Sequence, residues 1–186
     1  MRAAAFAFLV LAACAPTSPQ EAQDAAAAGC SAQSTGPWRP AGQAPLVISA
    51  AANGPSCADA VATLTIANAA GVALWTQAYP VAQVMSLADR SQNPEALREA
   101  LDEWINPDTI GTHTTSDLPA WGEGQEAPAS GEFPFYPEEG IDRAAYEALR
   151  AAALPTFCHV QGMESIACVA LENGRVRKIG LQTFPG

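Results

Sequence analysis

The chain has 186 residues, 49% hydrophobic and 15% charged, with a formal net charge of −10. That size and balance suit one globular domain of ordinary size with a real core. The acidity argues against nucleic acid as a partner, which attracts clustered Lys and Arg, and against docking on anionic lipid through surface charge. It serves solubility, and a basic partner would be steered toward it.

In chain order, Arg2 supplies a short positive start, and Ala3 to Leu11 is an unbroken apolar run. A run of roughly 7–15 apolar residues suits a secretory leader and is too short to cross a bilayer, which takes about 20. It ends in Leu11-Ala12-Ala13-Cys14, an aliphatic residue, two small residues and a cysteine. This segment resembles the lipobox of bacterial lipoproteins. The resemblance implies that residues 1–13 are removed as a signal peptide, that Cys14 becomes the lipidated first residue, and that the protein joins a membrane through it. Two or three acyl chains, at ~0.8 kcal/mol per buried methylene, make a firm anchor. Ala15, where an aspartate would favour the inner membrane, implies sorting to the outer membrane, with the body facing the periplasm or the cell surface. Ordinary secretion, with a cut near Ala13 or Ala15 and a free Cys14, is the competing reading.

Residues 14–45 read as the lipidated cysteine and a mostly flexible tether, low in complexity at Ala25–Ala28 and broken by Gly36, Pro37, Pro40, Gly42 and Pro45. Cys30 would tie its second half down, and Trp38 would be the first residue packed on the body. A single α+β domain is expected over 46–186. Leu46-Val47-Ile48 begins a short strand that ends at Asn53-Gly54-Pro55. Residues 58–67 and 72–79 follow as a hairpin, Thr63 and Thr65 alternating with Leu64 and Ile66, and Gly71 supplying positive φ in the turn.

Pro80 changes the period. Val81, Val84, Met85 and Ala88 share one helix face by spacing. A second helix opens on Asn93 as N-cap with Pro94 at its first position, carries the stripe Leu97, Leu101, Trp104 and Ile105, pairs Arg98 with Asp102, and stops before Pro107. Residues 107–140 hold glycines and prolines without period, a long irregular stretch whose aromatics Trp121, Phe133, Phe135 and Tyr136 predict packing in its second half. A third helix is capped by Asp142, with Ile141 stapled to Tyr146 and Ala145, Leu149 and Ala152 as its buried face. The end reads as a three-stranded antiparallel meander over 156–161, 165–172 and 175–184, with Asn173-Gly174 a strong type I′ turn. Arg175, Arg177 and Lys178 on its last strand are expected as solvated charges that discourage edge pairing.

Five cysteines are odd for an exported protein, but assigning Cys14 to lipid leaves four, which allow three pairings. Sequence locality favours Cys30–Cys57 and Cys158–Cys168, bonds that persist in an oxidising envelope. A three-residue turn at Gly162-Met163-Glu164 puts Cys158 opposite Cys168, at the short end of the reach of a disulfide. Zinc-knuckle, redox C-x-x-C and haem C-x-x-C-H spacings are absent, as are an EF-hand loop and a phosphate-binding glycine loop, so no metal or cofactor is expected.

Chemistry has few places to sit. His113 lies in Thr112-His113-Thr114-Thr115-Ser116-Asp117 and is the weak candidate for a catalytic base; His159 is expected as a satisfied sheet histidine on the face opposite the disulfide. No Gly-x-Ser-x-Gly turn offers a nucleophile, and paired carboxylates such as Glu138-Glu139 show no cleft. The function expected is therefore that of a cell-envelope lipoprotein with a non-enzymatic body that binds a protein or wall component. The alternatives are an envelope hydrolase using His113 and nearby carboxylates, and an inhibitor of a basic wall-degrading enzyme.

Overall fold

The computed structural model describes residues 29–184. The lipobox, Cys14 and the first half of the tether lie outside the described residues. The architecture is mixed α+β, with two antiparallel sheets, three helices and two disulfides. Sheet one is a four-strand meander of β1 (Cys30–Trp38), β2 (Leu46–Gly54), β3 (Val61–Ala67) and β4 (Ala73–Pro80), in that order. Helices α1 (Met85–Ala88) and α2 (Pro94–Trp104) follow, and α3 (Arg143–Ala151) comes later. Sheet two contains β5 (Ala129–Ser130), β6 (Phe133–Pro137), β7 (Thr156–Val160), β8 (Ser165–Glu172) and β9 (Arg175–Thr183), in spatial order β5-β6-β9-β8-β7.

Alternation makes sheet one. Ile48, Ala50 and Ala52 of β2 and Ala62, Leu64 and Ile66 of β3 point to one buried face, while Thr63 and Thr65 turn outward. Against that face pack Leu97, Ala100, Leu101 and Trp104 of α2 and Phe157, Val169, Leu171 and Val176 of sheet two, one continuous core. The opposite face of sheet two builds a second core from Cys158, Cys168, Ala170 and Ile179, covered by Phe135, Leu118 and the α3 residues Tyr146 and Leu149. The centre of sheet two is thus buried on both faces, and Ala167 to Leu171 is an unbroken buried run.

The punctuation follows the sequence. Asn93 Oδ1 accepts the backbone N–H groups of Glu95 and Ala96 at 3.1 and 2.9 Å, with Pro94 at the first position of α2. Asp142 Oδ1 accepts Ala145 N–H at 2.8 Å. Asn173 and Gly174 take φ of 50° and 75°, as a type I′ turn requires, and Gly71 takes 78°.

Five expectations are corrected. The expected tether is not irregular up to residue 45: β1 forms the edge of sheet one, pairing with β2 from Cys30↔Gly54 to Trp38↔Leu46. Its inward positions Cys30, Ala32, Ser34 and Gly36 are small, so the alternation hardly registers as hydrophobicity, and an edge strand tolerates Pro37. Residues 81–88 make a 3₁₀ turn and a single α turn, burying Val81, Val84 and Leu87 at spacing three, and Met85 is left 46% exposed. Asp102 does not pair with Arg98; it accepts Ser34 Oγ–H at 2.7 Å and stitches α2 to β1, while Arg90 holds Glu99 and Glu103 at 3.2 and 2.6 Å. Tyr146 and Leu149, not Ala145 and Ala152, are the buried face of α3. The last strand is not an edge: β9 lies between β8 and β6, where Lys178 meets Glu138 at 3.1 Å and Arg177 meets Glu172 at 3.3 Å. The three-stranded meander β7-β8-β9 stands as expected, and the irregular stretch adds β5 and β6 beside β9 to make sheet two five strands.

Candidate functional site

Both disulfides join the expected cysteines. Cys30–Cys57 spans a Cα–Cα distance of 4.8 Å and fastens the start of β1 to the loop after β2. Cys158–Cys168 spans 4.1 Å between directly opposed residues of β7 and β8.

His113 is exposed on the loop before a 3₁₀ turn at Thr115–Asp117. Its backbone N–H donates to Asp117 Oδ2 at 3.0 Å, as do Thr114 N–H at 2.8 Å and Thr114 Oγ1–H at 3.2 Å. The Thr114 backbone bond first, and then those of His113 and the Thr114 hydroxyl, hold the Asp117 carboxyl below its ordinary range against partial burial. Asp117 is therefore committed to capping the turn. Ser116 Oγ is 2.7 Å from Thr114 Oγ1. Among the described residues no hydrogen bond joins the His113 ring to a carboxylate, so the sequence neighbours His113, Ser116 and Asp117 do not form a relay. His113 does line a cleft of about 500 Å³ with Arg39, Asp108, Thr114 and Thr156, walled by prolines. That cleft brings together one imidazole, one guanidinium and one carboxylate, and its buried polar residue, Thr156, spends its hydroxyl on Leu154 O at 3.1 Å. No three His, Cys, Asp or Glu side chains cluster as a metal would need among the described residues.

His159 is buried inside a box of aromatic rings. Phe157 stacks on it at 5.6 Å and 13°, and Trp75, Tyr79 and Trp104 close in at 5.7, 5.5 and 5.8 Å. Nε2 lies 2.9 Å from the Tyr79 hydroxyl, and Nδ1 has no partner. Burial, with a smaller contribution from the Lys178 charge, pushes the imidazole down to about 3, and burial raises the Tyr79 hydroxyl. A neutral ring with one satisfied nitrogen, closed off from solvent, bolts β4 and α2 to β7. His159 is a sheet histidine as expected, but not a satisfied one, since Nδ1 is buried without a partner.

The third feature was not singled out from sequence. Among the described residues seven large apolar side chains are more than a third exposed, and three of them, Met85, Met163 and Tyr136, line grooves that meet at Phe184. Two shallow grooves of about 450 Å³ each adjoin there and share Glu164, Ser165 and Phe184. Met85, Met163, Val160 and Ile166 line one; Pro134 and Tyr136 line the other. The Phe133 ring lies 5.2 Å from that of Phe184. Met85 N–H donates to Gly162 O at 3.3 Å and holds α1 beside the β7–β8 turn, which brings the two methionines together. The signal in the sequence was scarcity: apart from Met1, these are its only methionines.

The fold and its sites thus define a disulfide-closed α+β body with an open apolar strip and dispersed polar candidates. No family model, no curated protein and no solved structure matches the chain.

Proposed function

We propose that the protein is a bacterial envelope lipoprotein, lipidated at Cys14, whose body binds another envelope protein and performs no chemistry of its own. The observation that carries the binding role is the gathering of three exposed large apolar side chains, Met85, Met163 and Tyr136, along two adjoining grooves that share Phe184. Exposed apolar strips of this kind lose free energy to water unless something covers them. Methionine pairs suit such a surface because the thioether side chain adapts to a partner. The anchor is supported by Leu11-Ala12-Ala13-Cys14, and two disulfides fit an oxidising compartment. The hydrolase reading loses its motivation because Asp117 caps a turn and the His113 ring is not linked to it.

The test has two arms. Palmitate labelling marks the wild-type protein and not Cys14→Ser, and membrane fractionation follows the label. A photo-crosslinking amino acid at position 163 captures a discrete envelope protein in intact cells, and the same group at exposed Val72, 57% exposed on another part of the surface, does not. An unlabelled wild type removes the anchor; equal capture from both positions removes the binding face.

A further inference from the structure

The strip has a charge as well as a shape. Among the described residues the only charged side chains lining its two grooves are Glu132 and Glu164, both on the open surface. No described Lys or Arg lines either groove. The whole chain carries −10. An apolar floor with an acidic rim, on an acidic protein, selects among occupants. A second copy would bring together two like-charged bodies and offer Glu164 and Glu132 no Lys or Arg from the same strip. An anionic lipid surface would meet the same repulsion.

Resting on the binding role proposed above, we propose that the strip from Met85 and Met163 through Phe184 to Tyr136 is the docking face for a basic peptide segment of a partner protein, one carrying large aliphatic or aromatic anchors flanked by Lys or Arg. The anchors enter the groove between Met85, Met163 and Ile166 and the groove beside Phe184 and Tyr136. The flanking cations meet Glu164, which both grooves share, and Glu132 at the outer end. The apolar floor supplies residence time, and the acidic rim supplies steering and the preference for basic over acidic segments. The two adjoining grooves, of about 450 Å³ each, offer room for two large side chains.

The experiment uses the purified protein and two fluorescein-labelled fourteen-residue probes of identical leucine pattern, one with lysine and one with glutamate at every polar position, read by fluorescence anisotropy. The lysine probe binds and the glutamate probe does not. Met85→Ser with Met163→Ser weakens the lysine probe about tenfold or more, as loss of a central apolar anchor does. Glu164→Lys weakens it at least about threefold and flattens its salt dependence. Val72→Ser, an exposed apolar residue elsewhere, changes nothing. All four residues are exposed, and thermal melts of the variants match the wild type. Equal binding by the methionine variant and by Val72→Ser would mean unlocalised attraction of a polycation and overturns the proposal. So does methionine-dependent binding of both probes alike, or of zwitterionic phosphatidylcholine vesicles in place of either. A crosslink from position 163 that survives Glu164→Lys undiminished leaves the binding role standing and sinks the basic partner alone.

Discussion

The aromatic box around His159 makes a quantitative demand on stability. The folded imidazole is held down to about 3, while the unfolded one keeps its ordinary value of 6.5. Between those values the unfolded chain binds a proton that the native chain refuses, so stability falls as pH falls from 6.5 toward 3 and this contribution then levels off. Two units below the unfolded value, at pH 4.5, the loss relative to pH 7 is about 2.5 kcal/mol at ~1.36 kcal/mol per unit. That is a large fraction of the ~5–15 kcal/mol of a typical domain. His159→Phe removes the titration and keeps a ring beside Phe157 and Trp104; it orphans the Tyr79 hydroxyl at both pH values, so that cost cancels in the comparison. Urea unfolding of both proteins at pH 7.0 and 4.5 isolates the effect, because contributions common to the two also cancel. The wild type loses about 2.5 kcal/mol more than the variant across the interval. An equal loss in the two proteins would refute the account of a neutral, sealed histidine.

Other elements yield sharper local expectations. Thr115 is fully buried, its hydroxyl donating to Leu149 O at 2.6 Å and accepting Leu154 N–H at 2.9 Å. Thr115→Val keeps the shape and strands both groups, costing about 2–4 kcal/mol in chemical denaturation. Asn93→Ala removes the α2 cap and costs about 1 kcal/mol by the same measurement. Loop-closure entropy gives about 3.6 kcal/mol for the Cys30–Cys57 bond and about 2.7 kcal/mol for Cys158–Cys168, from sequence separations of 27 and 10, so alanine pairs at the first site lower the melting temperature more. Non-reducing peptide mapping recovers both linkages, and free thiols at Cys158 and Cys168 would contradict the β7–β8 register.

What was legible in the sequence was what rests on local chemistry. Asn93-Pro94, Asp142, Gly71 and Asn173-Gly174 each specify a cap or a turn within a few residues, and each stands where the pattern put it. Cys158 opposite Cys168 followed from the length of one turn. What failed depended on partners far along the chain. β1 is a strand because β2 offers it nine paired positions, not because Ser31, Gln33 and Thr35 favour one. Met85 fits a helical stripe by spacing, but its segment winds with a period near three and turns it out. The position of β9 in the interior depends on β6, a five-residue strand inside a stretch with no period of its own. Of the candidate chemistry, His113 could be named but its isolation could not, because Asp117 had two possible uses and only the folded loop shows which it takes.

The same reasoning explains why the strip can stay open without endangering the fold. β7 pairs with β8 alone, through five residues, and so lies at an edge where slippage would be cheapest. A slip by one residue would turn Phe157 and His159 away from the first core and Cys158 into it. It would break the aromatic box and the disulfide together, since alternate residues of β7 serve opposite faces. The register is held from both sides before Val160 and the turn are reached. The turn that carries Met163 then holds α1 through its backbone, by the bond from Met85 N–H to Gly162 O, and leaves the Met163 side chain exposed. An apolar surface whose floor, Val160 and Ile166, is anchored to the cores and whose methionines stay exposed is what a docking face requires, and the fixed register below it keeps that floor in place for a partner to meet.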